Sequence, residues 1–160
     1  MNIIIVEGMD GVGKSTFIGN ILLRKNSAVC VHFSYEDVQK QPDPILRYAQ
    51  LFSEMAARGC ETIILDRGWY SDYVYGKAVR NREEVSAQAI GVIERLAIGY
   101  GSLTTFFLTT TVDTAWKRCK QRGEDYIKDK AMLKDVCNVY QQVIKTVKKH
   151  SHATVYEVRT

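Results

Sequence analysis

One motif, Gly8-Met9-Asp10-Gly11-Val12-Gly13-Lys14-Ser15-Thr16, predicts the architecture of the chain. It matches the pattern G-x-x-x-x-G-K-[ST] at every fixed position. The apolar run Asn2–Val6 precedes it and is typical of a buried parallel strand, and the segment Phe17–Leu23 that follows has helical character. A strand, a glycine-rich loop and a helix in this order indicate a loop that binds the phosphates of a nucleotide.

Each residue type in this loop has a chemical reason to be there. The glycines let the backbone turn tightly and point its N–H groups at an anion, and the positive end of the next helix points to the same place. Lys14 adds a charge for the β- and γ-phosphates, and Ser15 offers a hydroxyl to Mg²⁺, which keeps most of its water. A glycine-rich turn with a chance lysine is the alternative, which the flanking strand and helix disfavour. The residues expected to bind ATP are Gly8, Gly11, Val12, Gly13, Lys14, Ser15 and Thr16.

The composition is that of an ordinary globular protein. Of the 160 residues, 46% are hydrophobic and 25% are charged, which predicts one domain spanning residues 1–160 with a real core. The net charge of +4 is mild, and dense basic runs occur only at Lys117–Arg122 and Lys145–Lys149, which argues against a nucleic-acid partner. No apolar run suits a membrane helix and no signal peptide is evident, so we expect a cytoplasmic protein whose four cysteines are free thiols.

Apolar strands alternate with helical segments along the rest of the chain. This pattern predicts a three-layer α/β fold in which a five-stranded parallel sheet carries helices on both faces. The polar segment Ser34–Pro44 is expected to be a loop. Ligands of such sheets bind at the carboxyl ends of the strands, so the residues after each strand are site candidates. The expected strands are Asn2–Val6, Ala28–Phe33, Thr62–Leu65, Leu103–Leu108 and Ala153–Val158, and the expected helices run over about 14–24, 45–58, 70–79, 84–98, 112–121 and 130–149.

The third strand delivers an acid and a base to that edge of the sheet, Asp66 and Arg67. Asp66 can organise the Mg²⁺ shell, or it can accept a proton from a hydroxyl group of an acceptor. Arg67 can hold a phosphate with the parallel donors of its planar guanidinium. An ion pair at a strand end is the structural alternative, which the upstream phosphate-binding loop disfavours.

A basic segment follows the fourth strand. Arg118 and Arg122 lie four residues apart and therefore share one face of a predicted helix. Phosphoryl transfer needs positive charge where the charge of the γ-phosphate spreads, and a mobile lid that carries arginines can supply it while excluding water. We therefore expect a lid at about 117–128, with Lys120 as a weaker candidate. A solvated basic helix face is the alternative.

These motifs resemble those of thymidylate kinases over essentially the whole chain. The loop Glu7–Thr16 resembles their phosphate-binding loop. Asp66-Arg67, followed by Ser71 and Tyr75-Gly76, resembles their acceptor-site motif, and Gln121-Arg122-Gly123-Glu124 resembles their lid. The resemblance therefore implies a P-loop kinase fold and a nucleotide as the phosphoryl acceptor.

Three details refine the resemblance. Val74-Tyr75-Gly76 looks most like the compact phage-encoded members, which would place the protein in the host cytoplasm. Some members carry an arginine in the loop where this chain has Gly11, so the resemblance implies that the catalytic arginines here come from the lid, as Arg122 and Arg118. The family often has another arginine two residues after its Gly-Glu, whereas this chain has Tyr126 there.

The resemblance also implies an acceptor site. An acid at the position of Asp10 contacts the 3′-hydroxyl of the acceptor deoxyribose, Arg67 holds the acceptor phosphate, and Ser71 belongs to the same motif. Phe52 is the first candidate for the stacking partner of the base, because its helix borders the pocket in the family, and Arg47 is the polar candidate on that helix. The other aromatic candidates are Phe33, Tyr35, Trp69, Tyr70 and Tyr73. The loop after the second strand is more acidic than in the family, which leaves the base specificity open.

The sequence thus predicts a nucleoside monophosphate kinase. ATP, with Mg²⁺ held by Ser15 and Asp66 partly through water, would donate its γ-phosphoryl group to a deoxynucleoside monophosphate, with dTMP as the first expectation. The expected catalytic residues are Lys14, Asp66, Arg118 and Arg122. A deoxynucleoside kinase, in which Asp66 takes the proton of a 5′-hydroxyl, is the alternative. A regulatory NTPase switch is a remote one, since the chain contains no N-K-x-D motif. A homodimer is a further hypothesis, because thymidylate kinases commonly dimerise.

Overall fold

A parallel sheet forms the centre of the molecule, and helices cover both of its faces. The structure, a computed structural model, describes residues 1–25, 27–123 and 126–160. Within these residues no helix is long and apolar enough to cross a membrane. The predicted α/β architecture with five parallel strands is confirmed. The strands are β1 (Asn2–Glu7), β2 (Ala28–Val31), β3 (Thr62–Asp66), β4 (Ser102–Thr109) and β5 (Thr154–Arg159), and the helices are α1 (Lys14–Arg24), α2 (Tyr35–Lys40), α3 (Pro44–Ala57), α4 (Trp69–Ala78), α5 (Ala87–Tyr100), α6 (Val112–Arg122) and α7 (Lys130–His150).

The strand order places two candidate segments side by side. The order is β2-β3-β1-β4-β5, and every neighbouring pair is parallel. β1 lies in the middle, where Ile3, Ile5 and Val6 are fully buried, as expected for a strand covered on both faces. In the register, Val6 of β1 lies beside Asp66 of β3. The loop after β1 and the turn after β3 therefore leave the sheet next to each other at one edge.

Local signals in the sequence explain α3, the helix that borders this edge. The carboxylate of Asp43 accepts the N–H groups of Ile45 at 2.8 Å and Leu46 at 3.2 Å and so caps the helix. Pro44 occupies the first turn, where its missing N–H has no partner to lose. Gly59, with a φ of 70°, follows the end of the helix. The apolar face of α3 packs against α5.

The segment 34–44 contains a helix, α2, where the sequence was interpreted as a loop. α2 begins with a reciprocal capping box: the Ser34 hydroxyl accepts the Asp37 N–H at 3.2 Å, and the Asp37 carboxylate accepts the Ser34 N–H at 2.9 Å. The prediction of a loop rests on the polar composition and the two prolines of this segment, whereas the capping residues Ser34 and Asp37 are sufficient to begin a short helix. β2 is also shorter than expected, since it ends at Val31 and leaves Phe33 outside the sheet.

Candidate active site

The glycine-rich loop lies directly against the backbone of two other elements. Gly8 and Gly11 have φ angles of 147° and 72°, which favour glycine. A Cβ on Gly11 would lie 2.3 Å from the carbonyl oxygen of Ala115 in α6, and a Cβ on Gly8 would lie 2.7 Å from that of Leu108 in β4. These glycines therefore permit close packing as well as the tight turn, and the loop packs directly against the backbone of α6 and β4.

Lys14 lies inside the curl of this loop. Its Nζ donates hydrogen bonds to the carbonyl oxygens of Gly8 at 2.9 Å and Met9 at 3.0 Å. Burial, together with the nearby charge of Arg67, lowers the pKa of Lys14 to about 7. Ser15, the next residue, is exposed in the first turn of α1. The loop thus presents one partly desolvated amine and a hydroxyl at the positive end of a helix, which is an arrangement suited to phosphate oxygens.

Arg67 is held between the loop and the neighbouring cleft. Its φ of 67° is unusual for a residue with a side chain. The guanidinium donates to the Gly8 carbonyl at 3.1 Å and pairs with the carboxylate of Asp10, and its Cζ lies 4.8 Å from the centre of the Tyr75 ring. The Tyr75 hydroxyl in turn donates to Asp10 at 2.7 Å. Two of the predicted acceptor residues, Asp10 and Arg67, therefore form one fixed unit.

A cleft of about 600 Å³ opens beside this unit. Of the predicted residues, Asp10, Arg47, Asp66, Arg67 and Ser71 line it. Tyr75 of the predicted acceptor motif and Phe33, an aromatic candidate from the sequence, line it as well. The sequence interpretation did not include His32, Asp72, Arg80 and Arg82, which also line the cleft. The lining of the cleft therefore combines guanidinium groups and carboxylates with aromatic rings.

Arg47 and Asp72 form a pair at the wall of the cleft. Arg47 is only 5% exposed, and its Nη2 donates to Asp72 at 3.1 Å while its Nη1 donates to the Gln41 carbonyl at 2.9 Å. The Arg47 Nε is buried and has no hydrogen-bond partner within the described residues. The guanidinium also lies 5.4 Å from the centre of the Phe33 ring. This wall can therefore offer a donor and an acceptor beside an aromatic ring.

The expectation for Phe52 is corrected by the structure. Phe52 is fully buried and packs against Tyr48 and Tyr100, with ring centroids 6.1 and 5.9 Å away, and it does not line the cleft. Arg47 and Phe52 are five residues apart, so they lie about 140° apart around the helix and face different sides. Phe33, half-buried in the cleft wall, is an aromatic candidate from the sequence that does line the cleft.

Asp66 has an atom suited to a hydrated cation. Its Oδ1 is buried without a hydrogen-bond partner among the described residues, while its backbone carbonyl contacts His32 Nδ1 at 2.9 Å. Asp66 also interacts electrostatically with Lys14, so it belongs to the same neighbourhood as the loop. The described residues contain no cluster of three or more His, Cys, Asp or Glu that could hold a metal. The donor set therefore fits a Mg²⁺ ion held largely by water and phosphate, with Ser15 and Asp66 at its edge.

Glu7 is a functional candidate that the sequence interpretation missed. It is 0% exposed and accepts hydrogen bonds from the N–H groups of Gly68 and Ser71 and from the hydroxyls of Ser71 and Tyr140. Burial raises the pKa of Glu7 to about 7, against the effect of these donors. The Ser71 hydroxyl, predicted to contact the acceptor, is thus bound to Glu7 and lies 2.7 Å from that of Tyr140.

The predicted lid begins on α6, and its first arginine contacts the loop. Arg118 Nη1 donates to the carbonyl oxygens of Gly11 at 3.3 Å and Val12 at 3.4 Å. Arg122 is the exposed last residue of α6. Lys120 lies over the Trp116 ring, 4.5 Å from its centre. Two positions of the lid prediction, Glu124 and Asp125, lie outside the described residues.

Solved structures share this arrangement of elements, although no protein-family model and no curated protein matches the sequence. YorR protein from Bacillus subtilis, in a crystal structure with phosphorylated GDP, aligns with a TM-score of 0.73 and 20% identity over 98% of this chain and 85% of its own. Deoxyadenosine kinase from M. mycoides with bound dATP aligns with a TM-score of 0.61 and 20% identity, over 99% and 91%. The same enzyme with the products dCMP and dCDP gives 0.61 and 17%, over 99% and 90%. The chain has the fold of P-loop kinases.

In a P-loop kinase fold, the glycine-rich loop and the cleft next to it are the two places where ligands are expected. Here they are joined by Arg67, which contacts Gly8 on the loop side and lines the cleft on the other. At about 20% identity these similarities show the fold, so the roles of individual residues rest on the geometry and on the motifs. The resemblance to thymidylate kinases stays a prediction within this fold.

Proposed function

We propose that this protein transfers the γ-phosphoryl group of ATP to a deoxynucleoside monophosphate, with dTMP as the first candidate. The observation that carries the proposal is the fixed guanidinium of Arg67, which lies between the loop carbonyl of Gly8 and the cleft and is locked by Asp10 and Tyr75. A monophosphate acceptor needs such a fixed, planar cation beside the donor loop, because two anionic groups must approach each other.

The donor side of the proposal rests on the loop and α1. Lys14 would contact the β- and γ-phosphates, with the loop N–H groups around Gly11, Val12 and Gly13. Mg²⁺, when bound near Ser15 and Asp66, neutralises the charge of the phosphates. Arg118 and Arg122 would stabilise the transferring group, since one contacts the loop and the other follows it by one helical turn. A monophosphate is already ionised, so positioning and electrostatics are sufficient and no strong base is required.

The acceptor side rests on the cleft wall. Asp10 would accept a hydrogen bond from the sugar, and Phe33, in place of Phe52, would contact the base. Arg47 and Asp72 present a donor and an acceptor next to each other, and thymine offers the complementary O4 acceptor and N3–H donor. Other bases also carry an acceptor beside a donor, so this wall alone does not select thymine. The phage origin, the cytoplasmic location and the homodimer stay predictions.

A deoxynucleoside kinase is the second candidate. It is favoured by one observation, the buried and unpartnered Oδ1 of Asp66, which could take the proton of a 5′-hydroxyl. The structurally similar deoxyadenosine kinase from M. mycoides belongs to that class by its name. In that reaction the acceptor carries no phosphate, and the charge of Arg67 would be of little use.

The test is ADP release from ATP and Mg²⁺ with each deoxynucleoside monophosphate and each deoxynucleoside. For the preferred monophosphate, Arg67→Ala should raise the acceptor KM or lower kcat by about 10- to 100-fold in total, as expected for loss of a charged hydrogen bond. The KM for ATP should change little. Arg58→Ala is the matched control, because Arg58 is exposed at the end of α3, does not line the cleft and forms an ion pair with Glu54 on the same helix. Turnover of nucleosides alone, insensitive to Arg67→Ala, would select the second candidate.

A further inference from the structure

Glu7 does not line the cleft, yet its carboxylate accepts four hydrogen bonds. Its Oε1 accepts the N–H groups of Gly68 at 2.9 Å and Ser71 at 3.2 Å. Its Oε2 accepts the hydroxyls of Tyr140, at 3.0 Å, and of Ser71. Burial of an ionisable group costs free energy unless such donors compensate it. Among these bonds, Oε1 therefore accepts from the backbone of the turn after β3, and Oε2 accepts from side-chain hydroxyls.

The turn that Glu7 holds is strained at its key residue. Arg67 adopts a φ of 67°, which a residue with a Cβ enters at a cost. The peptide groups on both sides of it are fixed by β1: the Arg67 N–H donates to the Val6 carbonyl at 3.1 Å, and the Gly68 N–H donates to Glu7. Strain of this kind persists only where surrounding contacts over-determine it. The end of β1 supplies those contacts.

We propose that Glu7 is a positioning residue for the acceptor clamp. It holds the turn 66–71 so that Arg67 keeps its left-handed backbone and directs its guanidinium to Gly8 and Asp10. The inference rests on the proposed function, in which Arg67 binds the acceptor phosphate. Because the donor loop begins at the very next residue, Glu7 connects the donor site and the acceptor clamp through the rigid central strand.

Three substitutions at one position separate hydrogen bonding from charge. Glu7→Leu removes every acceptor, so the Gly68 N–H loses the partner it has within the described residues, while the Ser71 N–H keeps only the Gly68 carbonyl at 3.1 Å. Glu7→Asp keeps the charge but withdraws the carboxylate by one methylene from those N–H groups. Glu7→Gln loses the charge but keeps a carbonyl oxygen that can face Gly68 and Ser71, while its NH₂ group can donate to the hydroxyls, which rotate to accept.

The experiment is a steady-state measurement of the KM for the acceptor and for ATP in the full-length variants. We expect the acceptor KM to rise about ten-fold or more in Glu7→Leu, by several-fold in Glu7→Asp, and by about three-fold or less in Glu7→Gln. The KM for ATP should stay within about two-fold of the wild type. Glu94→Asp is the matched control, since Glu94 is also a buried carboxylate with a hydroxyl donor, Tyr70, but does not line the cleft. It should leave the acceptor KM unchanged.

The order of the acceptor KM values among the three Glu7 variants shows whether Glu7 acts through its hydrogen bonds or through its charge. If Glu7 acted only through its charge, Glu7→Asp would resemble the wild type and Glu7→Gln would resemble Glu7→Leu, which would overturn the proposal. If Glu7→Leu does not fold, the acceptor KM of Glu7→Asp compared with that of Glu7→Gln still distinguishes hydrogen bonding from charge. An equal rise of both KM values in every variant would also overturn it, because a general loss of packing has that signature.

A second measurement separates this inference from the proposed function. Crystal structures of Glu7→Asp and Glu7→Gln should show Arg67 outside the left-handed region in the first and inside it in the second. If the wild type phosphorylates no monophosphate, the proposed function fails, but this conformational difference still supports the positioning role. Arg67 at a φ near 67° in both variants would refute the positioning role whatever the substrate proves to be.

Discussion

The packing of α6 against the phosphate-binding loop predicts a specific failure for Gly11→Ala. The new Cβ would lie 2.3 Å from the Ala115 carbonyl oxygen, 2.9 Å from its carbonyl carbon and 3.0 Å from its Cα. All three atoms belong to the backbone of α6, so no side-chain rotation can relieve the overlap. The loop or the helix must therefore move, and a shift of either one disturbs the contacts between Arg118 and the loop carbonyls.

The expected loss in the free energy of unfolding follows from comparison with a second glycine. Gly59 has a φ of 70°, close to the 72° of Gly11, but a Cβ built on it meets nothing within 4 Å. Gly59→Ala should therefore lower the free energy of unfolding by about 1 kcal/mol, which is the cost of a left-handed alanine. Gly11→Ala carries the same cost plus about 1–3 kcal/mol for overpacking, so about 2–4 kcal/mol in total is expected.

Urea unfolding followed by far-UV circular dichroism measures both values, with the m-value checked for each variant. The KM for ATP should rise at least about ten-fold in Gly11→Ala, because about 1.4 kcal/mol of lost loop geometry is enough for that factor. It should be unchanged in Gly59→Ala. If the two variants lose the same stability, the contact between Gly11 and Ala115 does not constrain the loop, and the reasoning about α6 is refuted.

Three further predictions follow from the site. Because the pKa of Lys14 is lowered to about 7, Lys14 is mostly neutral at pH 8, and ATP binding should take up close to one proton at that pH. Calorimetry in two buffers of different ionisation enthalpy measures this proton uptake, and Lys14→Arg should abolish it. Because the pKa of Glu7 is raised to about 7, the folded state retains a proton that the unfolded state releases, so the Glu7 contribution to the unfolding free energy should fall by up to about 3 kcal/mol between pH 4.5 and 7. Urea titrations at several pH values measure this slope, which Glu7→Gln should lack. Phe33→Leu should raise the acceptor KM, whereas Phe52→Leu should leave it unchanged and cost about 1 kcal/mol of stability; the opposite result would restore Phe52 as the base contact.

The fold could be predicted because its signals are local and periodic. Apolar runs of strand length alternate with helical periods, and the motif from Gly8 to Thr16 requires a strand before it and a helix after it. That arrangement also placed Asp66 and Arg67 at the same sheet edge as the loop, and the register of β1 and β3 confirms this. The capping box of α2 is an equally local signal, since Ser34 and Asp37 lie three residues apart.

The missed parts of the site depend on contacts between distant residues. Helical spacing shows that Arg47 and Phe52 lie on different faces of α3, but it does not show which face meets the core and which the cleft. Only the packing against Tyr48 and Tyr100 decides that. Glu7 carried a sequence signal, an acid that ends a buried apolar strand, yet its partners lie 61 to 133 residues further along the chain.

Arg118 shows how one residue can meet both a structural and a chemical requirement. Its bonds to the carbonyls of Gly11 and Val12, at 3.3 and 3.4 Å, are long, and their acceptors are neutral. A phosphate oxygen is a charged acceptor and forms the stronger hydrogen bond, so the exchange of partner on ATP binding is favourable. The loop does not lose its support, because the Thr160 hydroxyl donates to the Val12 carbonyl at 2.7 Å. Arg118, whose lid role is implied by the resemblance to thymidylate kinases, can therefore hold the loop before the donor arrives and turn to the γ-phosphate afterwards, with the guanidinium already in place.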